Sequence, residues 1–414
     1  MKVPLLDLKL QYAQIKDEII SAINEVLESQ QFIFGPKLEA FEKEIAHYLQ
    51  AGHAVGVSSG TDALIISLMA LGIGEEKKTG KGEEIREEDL VITSPFSFFS
   101  TASSISRVGA TPLFVDIDPL TYTISPEKIE ETISSLDSDR RKRIKAIIPV
   151  HLYGQCADMD SIVDIAKRYN LKIIEDAAQA LGAKYLRKAS ADVSQFAGSS
   201  GDLGCLSFFP TKNLGGYGEG GMVVTQDAEL ADRARRLRHH GCRSQKEQYY
   251  YDEIGINGRL DTLQAAILQV KLKCLDQWTS KRRANADNYN KLFKKTGLIA
   301  DNDTHDLEEK PLALPYVRSG NFHVFHQYVI RTRKRDKLKG FLDQNGVDCG
   351  IHYQCPIHLQ PCYRELGYKE GSFPEAEKAA REVLSLPIYP ELTEKQQELV
   401  VSAVTQFYNK EEMA

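Results

Sequence analysis

The stretch AVGVSSGTDALIISLMAL, residues 54–71, decides the fold. Its first part, AVGVSS, is a short apolar run with β-branched valines, and TDALIISLMAL carries a helical apolar pattern, with Gly60 at the joint. A strand that passes straight into a helix through small residues reads as the opening of a βαβ unit. The same alternation continues downstream: DLVITSP then FFSTASSISRVG, TPLFVDI then SPEKIEETIS, AIIPVHLYG then MDSIVDIAKRYN, and finally KIIEDAA. Such a rhythm predicts a mainly parallel sheet covered by helices on both faces, with ligands at the carboxyl ends of its strands. Two more strands, CLSFF and GMVVTQ, bracket a glycine-rich segment. Upstream, Tyr12, Ile15, Ile19, Ile23 and Val26 recur at three- and four-residue spacings, which predicts an amphipathic helix over 12–28.

Past residue 260 the rhythm changes to a long helical pattern, DTLQAAILQVKLKCLDQW, then a strand-like FHQYVIRT and a last helix near 393–408. This predicts a large α/β domain over 1–262 and a smaller C-terminal α/β domain over 263–414. Three hydrophilic stretches, 75–89, 134–143 and 187–202, read as solvated surface loops.

The 414 residues are 42% hydrophobic and 27% charged, which fits a globular protein of two or three domains. A formal net charge of -6 gives no general attraction to nucleic acid or an anionic membrane, so neither is expected as a partner. No apolar run approaches the roughly 20 residues that span a bilayer, and the first residues lack a signal core, so a cytoplasmic location is expected. Seven cysteines, an odd number, argue against a disulfide framework.

Three segments carry candidate chemistry. In SFFPTKNLGGYGEGG, residues 207–221, Lys212 stands between aromatic residues and a glycine-rich turn. A desolvated lysine loses its proton more easily and can bond a carbonyl carbon, while the plainer reading is a solvated loop lysine. In SSGTDAL, backbone N–H groups at Gly60 and Thr61 would open a helix, where phosphate binds well; ordinary capping by Thr61 and Asp62 is the alternative. In EDAAQA, Asp176 would end a strand at the ligand edge, with Gln179 one helical turn on. An N-cap aspartate beside an incidental glutamine is the plain reading there.

Together with PLLDLKLQY, FVDIDPLTYTI, IPVHLYGQCADMD, IIEDAAQALGA, GRLDTLQAAIL and PIHLQPCYRELGY, these segments resemble the DegT/DnrJ/EryC1/StrS family of pyridoxal-phosphate sugar aminotransferases. The resemblance runs over nearly the whole chain. It implies the fold-type I aminotransferase architecture, with a mainly parallel seven-stranded sheet between helices in the large domain. It further implies that Lys212 bonds the cofactor, that Asp176 partners the pyridinium nitrogen and that Gln179 meets the ring oxygen. Phe98 in SPFSFFSTA would stack on the ring, with Phe96 and Phe99 as competing registers. Ser207 would join Gly60 and Thr61 on the phosphate, and Asn257 would reach the phosphate of a neighbouring subunit, making a homodimer with shared sites.

The implied reaction moves an amino group from L-glutamate to a nucleotide-linked keto sugar, with pyridoxamine 5'-phosphate as the intermediate form of pyridoxal 5'-phosphate. IPVHLYGQCADMD and GRLDTLQAAIL look most like members that act on 3-keto sugars, UDP-linked N-acetyl-hexuronic acids among them, in cell-surface glycan synthesis. Alternatives are a sugar dehydratase, against which the lysine itself argues, an aminotransferase for 4-keto sugars or keto-cyclitols, and a regulatory protein without catalysis. Arg259 can hold a carboxylate through two parallel hydrogen bonds or sit in a surface ion pair. His352 and Tyr353 match a segment on the sugar side, although Gln354 and Cys355 stand where a proline more often follows. The ligand-type residues Cys349, His352, Cys355, His358 and Cys362 fit no common zinc spacing, so no metal is expected. His151 and Tyr153 read as supports of a strand end.

Overall fold

Residues 54–57 are all buried in β1 (His53–Val57), and the chain turns at Ser59 directly into α3 (Gly60–Ala70). The computed structural model describes residues 2–74, 88–187, 194–243, 249–301 and 304–412. The remaining strands are β2 (Leu90–Thr93), β3 (Thr111–Phe114), β4 (Ile144–Ile148), β5 (Lys172–Asp176), β6 (Lys184–Leu186), β7 (Ser194–Phe196), β8 (Leu203–Ser207), β9 (Gly221–Thr225), β10 (Asn321–Phe322), β11 (Tyr328–Arg331) and β12 (Val383–Leu386). The first four helices are α1 (Leu8–Ser29), α2 (Pro36–Tyr48), α3 (Gly60–Ala70) and α4 (Ser100–Arg107).

Seven strands form one sheet in the order β1-β9-β8-β5-β4-β2-β3, and β9 alone runs antiparallel to its neighbours. The apolar runs are buried because helices cover both faces. One face packs Val55, Val57, Ile174 and Val223 against Leu64 and Leu68 of α3 and Ala234 of the helix Ala228–Leu237. The other packs Ile92, Ile147, Leu206 and Met222 in the same cluster as Phe41 and Ile45 of α2 and Ile162 of the helix Met159–Tyr169. The expected fold-type I arrangement is therefore realised, and each of the parallel strands presents its carboxyl end to the same edge.

The second, smaller core gathers Tyr289 and Phe293 of the helix Leu275–Lys294 with Tyr328 and Ile330 of β11, Leu384 and Leu386 of β12, and Val400 and Val404 of the helix Glu394–Glu412. Val3 joins this core and bridges to Val347, so the N-terminus crosses to the smaller unit. The helix Thr262–Leu272 puts Ala265 and Leu268 into the large core and packs on α1 and α2. The helix that follows the expected boundary at 262 thus packs with the large core.

The charged stretches part ways. Residues 75–87 and 188–193 lie outside the described residues. In 134–143, the helix Ser138–Arg143 buries no residue, as a solvated segment should. Residues 194–202 are not a simple solvated loop: β7 pairs with β6 and buries Phe196, and the chain then wraps Glu175. That fully buried carboxylate accepts from the N–H groups of Gly198 (2.9 Å), Ser200 (2.6 Å) and Gly201 (2.6 Å) and faces His151 Nε2 at 2.8 Å. A buried carboxylate left without donors is strongly destabilising, so this stretch is held to a defined path.

Candidate active site

Asp176 closes β5 and is 4% exposed. Its main chain is tied on both sides, its N–H donating to the Pro149 carbonyl and its carbonyl accepting from His151 N–H. The carboxylate accepts from Thr101 Oγ1 at 2.7 Å on one oxygen and from Ala178 N–H at 3.2 Å on the other. Thr101 lies in the first turn of α4, with Ser97 Oγ 3.0 Å from its hydroxyl. Charge-assisted hydrogen bonds of this kind fix a carboxylate in direction as well as in place. Beneath them, His151 Nδ1 accepts from Ala157 N–H, which puts its proton on Nε2 toward Glu175. His151 thus supports the strand end, as expected.

Gln179 is buried and fully oriented: its Oε1 accepts from Tyr153 N–H at 2.8 Å and its Nε2 donates to Tyr353 Oη at 2.9 Å. One amide hydrogen remains to donate elsewhere. Tyr153 Oη donates to the His352 carbonyl, which ties the 350–360 segment of the smaller domain to the sheet edge.

Lys212 sits on the excursion between β8 and β9, in a tight turn where its N–H donates to the Phe209 carbonyl and Gly216 N–H to the Phe208 carbonyl. A Cβ added at Gly215 would lie 2.3 Å from the Pro210 carbonyl oxygen, so only glycine allows the turn to close on itself. Burial lowers the Lys212 pKa from 10.5 to about 8, with the Asp176 charge opposing part of the drop. Around it, His352 is lowered to about 4 and His326 well below the ordinary range, each by burial first and then by the Lys212 charge. His352 Nδ1 lies 2.8 Å from Ser385 Oγ, and His326 Nδ1 lies 3.2 Å from Asn213 Oδ1, beside the lysine. Neutral imidazoles leave the amine as the group that titrates near neutral pH.

Ser59 caps α3 by accepting from Asp62 N–H at 3.0 Å, so the capping role falls to Ser59 rather than to Thr61 or Asp62. Gly60 and Thr61 N–H groups then remain free at the helix N-terminus among the described residues. A Cβ at Gly60 would lie 2.7 Å from Ser207 Cβ, and one at Gly221 would lie 2.3 Å from the Ser59 carbonyl oxygen. Two glycines thus let the ends of β8 and β9 approach the first turn of α3, and the Ser207 hydroxyl joins the free amides. This donor set fits a phosphate, and Lys212 with Asp176 fits an aldehyde-bearing pyridinium ring, so the residues present are those that pyridoxal phosphate requires.

Burial sets Phe96 apart, while Phe98 and Phe99 both stay exposed, at 56% and 42%. Phe96 is 1% exposed and belongs to the core, and Phe99 packs on Tyr363. Phe98 is 56% exposed, with its ring centroid 6.1 Å from that of Tyr353, which leaves it a free face.

Residues 13–405 match the model of the DegT/DnrJ/EryC1/StrS aminotransferase family. The chain belongs to this family. It is 47% identical to a pleiotropic regulatory protein of Geobacillus stearothermophilus, over 99% of each chain. It is 39% identical to a dTDP-3-amino-3,4,6-trideoxy-alpha-D-glucose transaminase of Streptomyces venezuelae, over 100% of this chain and 98% of the other. A UDP-2-acetamido-2-deoxy-3-oxo-D-glucuronate aminotransferase of Pseudomonas aeruginosa is 38% identical over 97% and 99%. Among solved structures, DesV of S. venezuelae superposes with a TM-score of 0.85 at 39% identity, covering 98% of each chain. NtdA of Bacillus subtilis, solved with bound pyridoxamine phosphate, superposes with a TM-score of 0.83 at 31% identity over 99% of this chain and 85% of that one. This member of the DegT/DnrJ/EryC1/StrS family is an aminotransferase, and pyridoxal phosphate is its cofactor.

Not every expected residue of this aminotransferase gathers at Lys212. Asn257 is exposed and bridges to His239, and Arg259 bridges to Val57 at the end of β1. The Arg259 guanidinium turns to His239 Nδ1 at 2.9 Å and to the Phe34 ring rather than to a carboxylate. Among the five residues with ligand-type side chains, His352 faces Ser385 while His358 faces Glu377 across the smaller domain. Thr101, Asn213 and His326 lie at this site and were missed by the sequence reading: Thr101 and His326 arrive from far along the chain, while Asn213 directly follows Lys212 and is marked only by its contact with His326.

Proposed function

We propose that the chain aminates C3 of a UDP- or dTDP-linked 3-keto sugar, with L-glutamate as donor, and that a UDP-N-acetyl-3-keto-hexuronic acid is the preferred form. The observation that carries this reading is the convergence of Lys212, Asp176 and Gln179 beside the notch between Gly60 and Ser207. Relatives named for 3-amino and 3-oxo sugars support C3 as the site of amination.

When bound, pyridoxal phosphate supplies the electron sink that makes the donor Cα–H acidic. Asp176, aimed by Thr101, holds the proton on the ring nitrogen. Gln179 spends its remaining amide hydrogen on the ring oxygen, and Phe98 covers one face of the ring. As a neutral amine Lys212 would accept the proton that leaves the donor carbon, and as the ammonium it would give that proton back. Its lowered pKa suits both directions of that transfer near neutral pH. Gly60, Thr61 and Ser207 anchor the phosphate.

His352 and Tyr353 line the sugar side. Asn257 and Arg259, turned away from their own Lys212, serve the site of a second copy in a homodimer, Asn257 at the phosphate and Arg259 at a substrate carboxylate. The exposed aromatic run Tyr249, Tyr250 and Tyr251 beside them supports an interface there.

The test loads the enzyme with pyridoxamine phosphate and offers UDP- and dTDP-linked 3-keto and 4-keto sugars, scoring recovery of the visible cofactor absorption. Recovery with 3-keto sugars is expected. Recovery with 4-keto sugars alone would sink the C3 assignment.

A further inference from the structure

One buried cation has no part in the chemistry above. Lys271, on the helix Thr262–Leu272, is 2% exposed. Its ammonium donates to the Gly215 carbonyl and lies 5.0 Å from the centroid of the Tyr217 ring. Desolving an ammonium is costly, and a leucine or methionine would fill the same space more cheaply. A lysine here is explained by what it holds.

The Gly215 carbonyl is buried with its residue, and Lys271 is its hydrogen-bond donor among the described residues. Two turns earlier on the same helix face, Gln264 Oε1 accepts from Tyr217 N–H at 2.8 Å. A Cβ at Gly216 would lie 2.7 Å from that oxygen, so the turn is seated directly on the helix. The turn is closed on itself, with Gly215 against Pro210 and Lys212 between them. A shift of Gly215 is therefore passed to Lys212.

We propose that Lys271 is a positioning residue for Lys212, holding the 209–216 turn onto the helix Thr262–Leu272 through the Gly215 carbonyl. The proposal rests on Lys212 as the lysine that bonds the cofactor. Burial lowers the Lys271 pKa to about 8, which agrees with an ammonium held without a carboxylate partner. Losing it leaves the Gly215 carbonyl unsatisfied and frees the turn from one of its two side-chain anchors on the helix Thr262–Leu272.

The experiment compares holoenzyme with Lys271→Met, Lys271→Arg and Lys212→Ala. Three quantities are read: the melting temperature, the pH midpoint of the visible cofactor absorption, and the single-turnover rate with L-glutamate. In Lys271→Met the rate is expected to fall between about 10- and 100-fold, as for a catalytic group displaced by about an ångström, and the midpoint to move. Lys271→Arg keeps a charged donor and is expected to recover most of the rate. If Lys271→Met does not fold, Lys271→Gln is read in its place. A lower melting temperature with unchanged rate and midpoint in the folded variant would mean that Lys271 only stabilises the core, and would overturn the proposal. Lys212→Ala separates the two layers: a cofactor spectrum unchanged in that variant refutes the role of Lys212 itself.

Discussion

The lowered pKa of Lys212 makes a quantitative prediction about how the apoenzyme captures its cofactor. Only the neutral amine attacks an aldehyde, so the capture rate follows the neutral fraction of Lys212. With a pKa of about 8, about 9% of the amine is neutral at pH 7, against about 0.03% for a lysine at its ordinary value. Burial at this position therefore raises the reactive fraction about 300-fold at pH 7. The sign follows from the charge: a buried ammonium is the disfavoured form, so the proton leaves at lower pH than in water. Apoenzyme mixed with pyridoxal phosphate in a stopped-flow instrument should show visible absorption growing about tenfold faster per pH unit up to about 7, then bending over near 8 and levelling above it. Lys212→Ala should lack the phase altogether. In Asp176→Asn, where the charge that holds the proton is gone, the plateau should begin at lower pH. A rate that keeps climbing through pH 10 with no break near 8 would refute the burial argument.

Other perturbations follow from the same geometry. Thr101→Val removes the donor to Asp176, a charge-assisted bond worth about 1.5–3 kcal/mol, so the glutamate half-reaction should slow by about 10- to 100-fold with the fold intact by circular dichroism. Gly60→Ala places a Cβ 2.7 Å from Ser207 Cβ, and equilibrium dialysis should find cofactor affinity weakened by about tenfold or more; unchanged affinity would mean that the notch does not hold the phosphate. Asn257→Ala lies on the exposed rim of its own chain yet should loosen the cofactor if a second copy uses it, and a monomeric variant should lose the same affinity. Full affinity in a monomer would contradict the shared site.

The sequence exposed the parts of the site that rest on local pattern. A short apolar β-branched run passing through small residues into a longer apolar run marks β1 and α3, so the turn at Gly60 was legible, and the same alternation of strand and helix predicts the parallel strands and the edge that Asp176 occupies. What was not legible depends on partners far along the chain. Thr101 is one of several small hydroxyl residues around α4, and only the sheet reveals that its neighbour is a carboxylate 75 residues later. The 194–202 stretch is rich in glycine and serine and reads as solvent-exposed, yet those residues are small because their amides must converge on the buried Glu175. Phe96, Phe98 and Phe99 are equivalent as letters, and burial sets Phe96 apart from the two exposed rings. The helix Thr262–Leu272 has an apolar pattern that runs on toward the next helix, and only its contacts show that Ala265 and Leu268 enter the large core.

The antiparallel β9 explains how a lysine between two strands reaches the ligand edge of the sheet. Its neighbours β8 and β1 both end at the ligand edge, with Ser207 and Val57 each opposite Gly221. A parallel successor to β8 would have required a crossover returning to the far edge of the sheet before the chain could re-enter. Because β9 runs the other way, the chain leaves β8 at Ser207 and re-enters at Gly221 on the same edge. The whole 208–220 excursion is thereby confined to where Asp176 and the first turn of α3 already face. Its glycines permit the close return, Gln264 and Lys271 seat it from the helix side, and Lys212 is carried into a place that three parallel strands have prepared. The one strand that breaks the parallel rhythm is thus the one that brings the Lys212 amine to the edge where Asp176 ends β5.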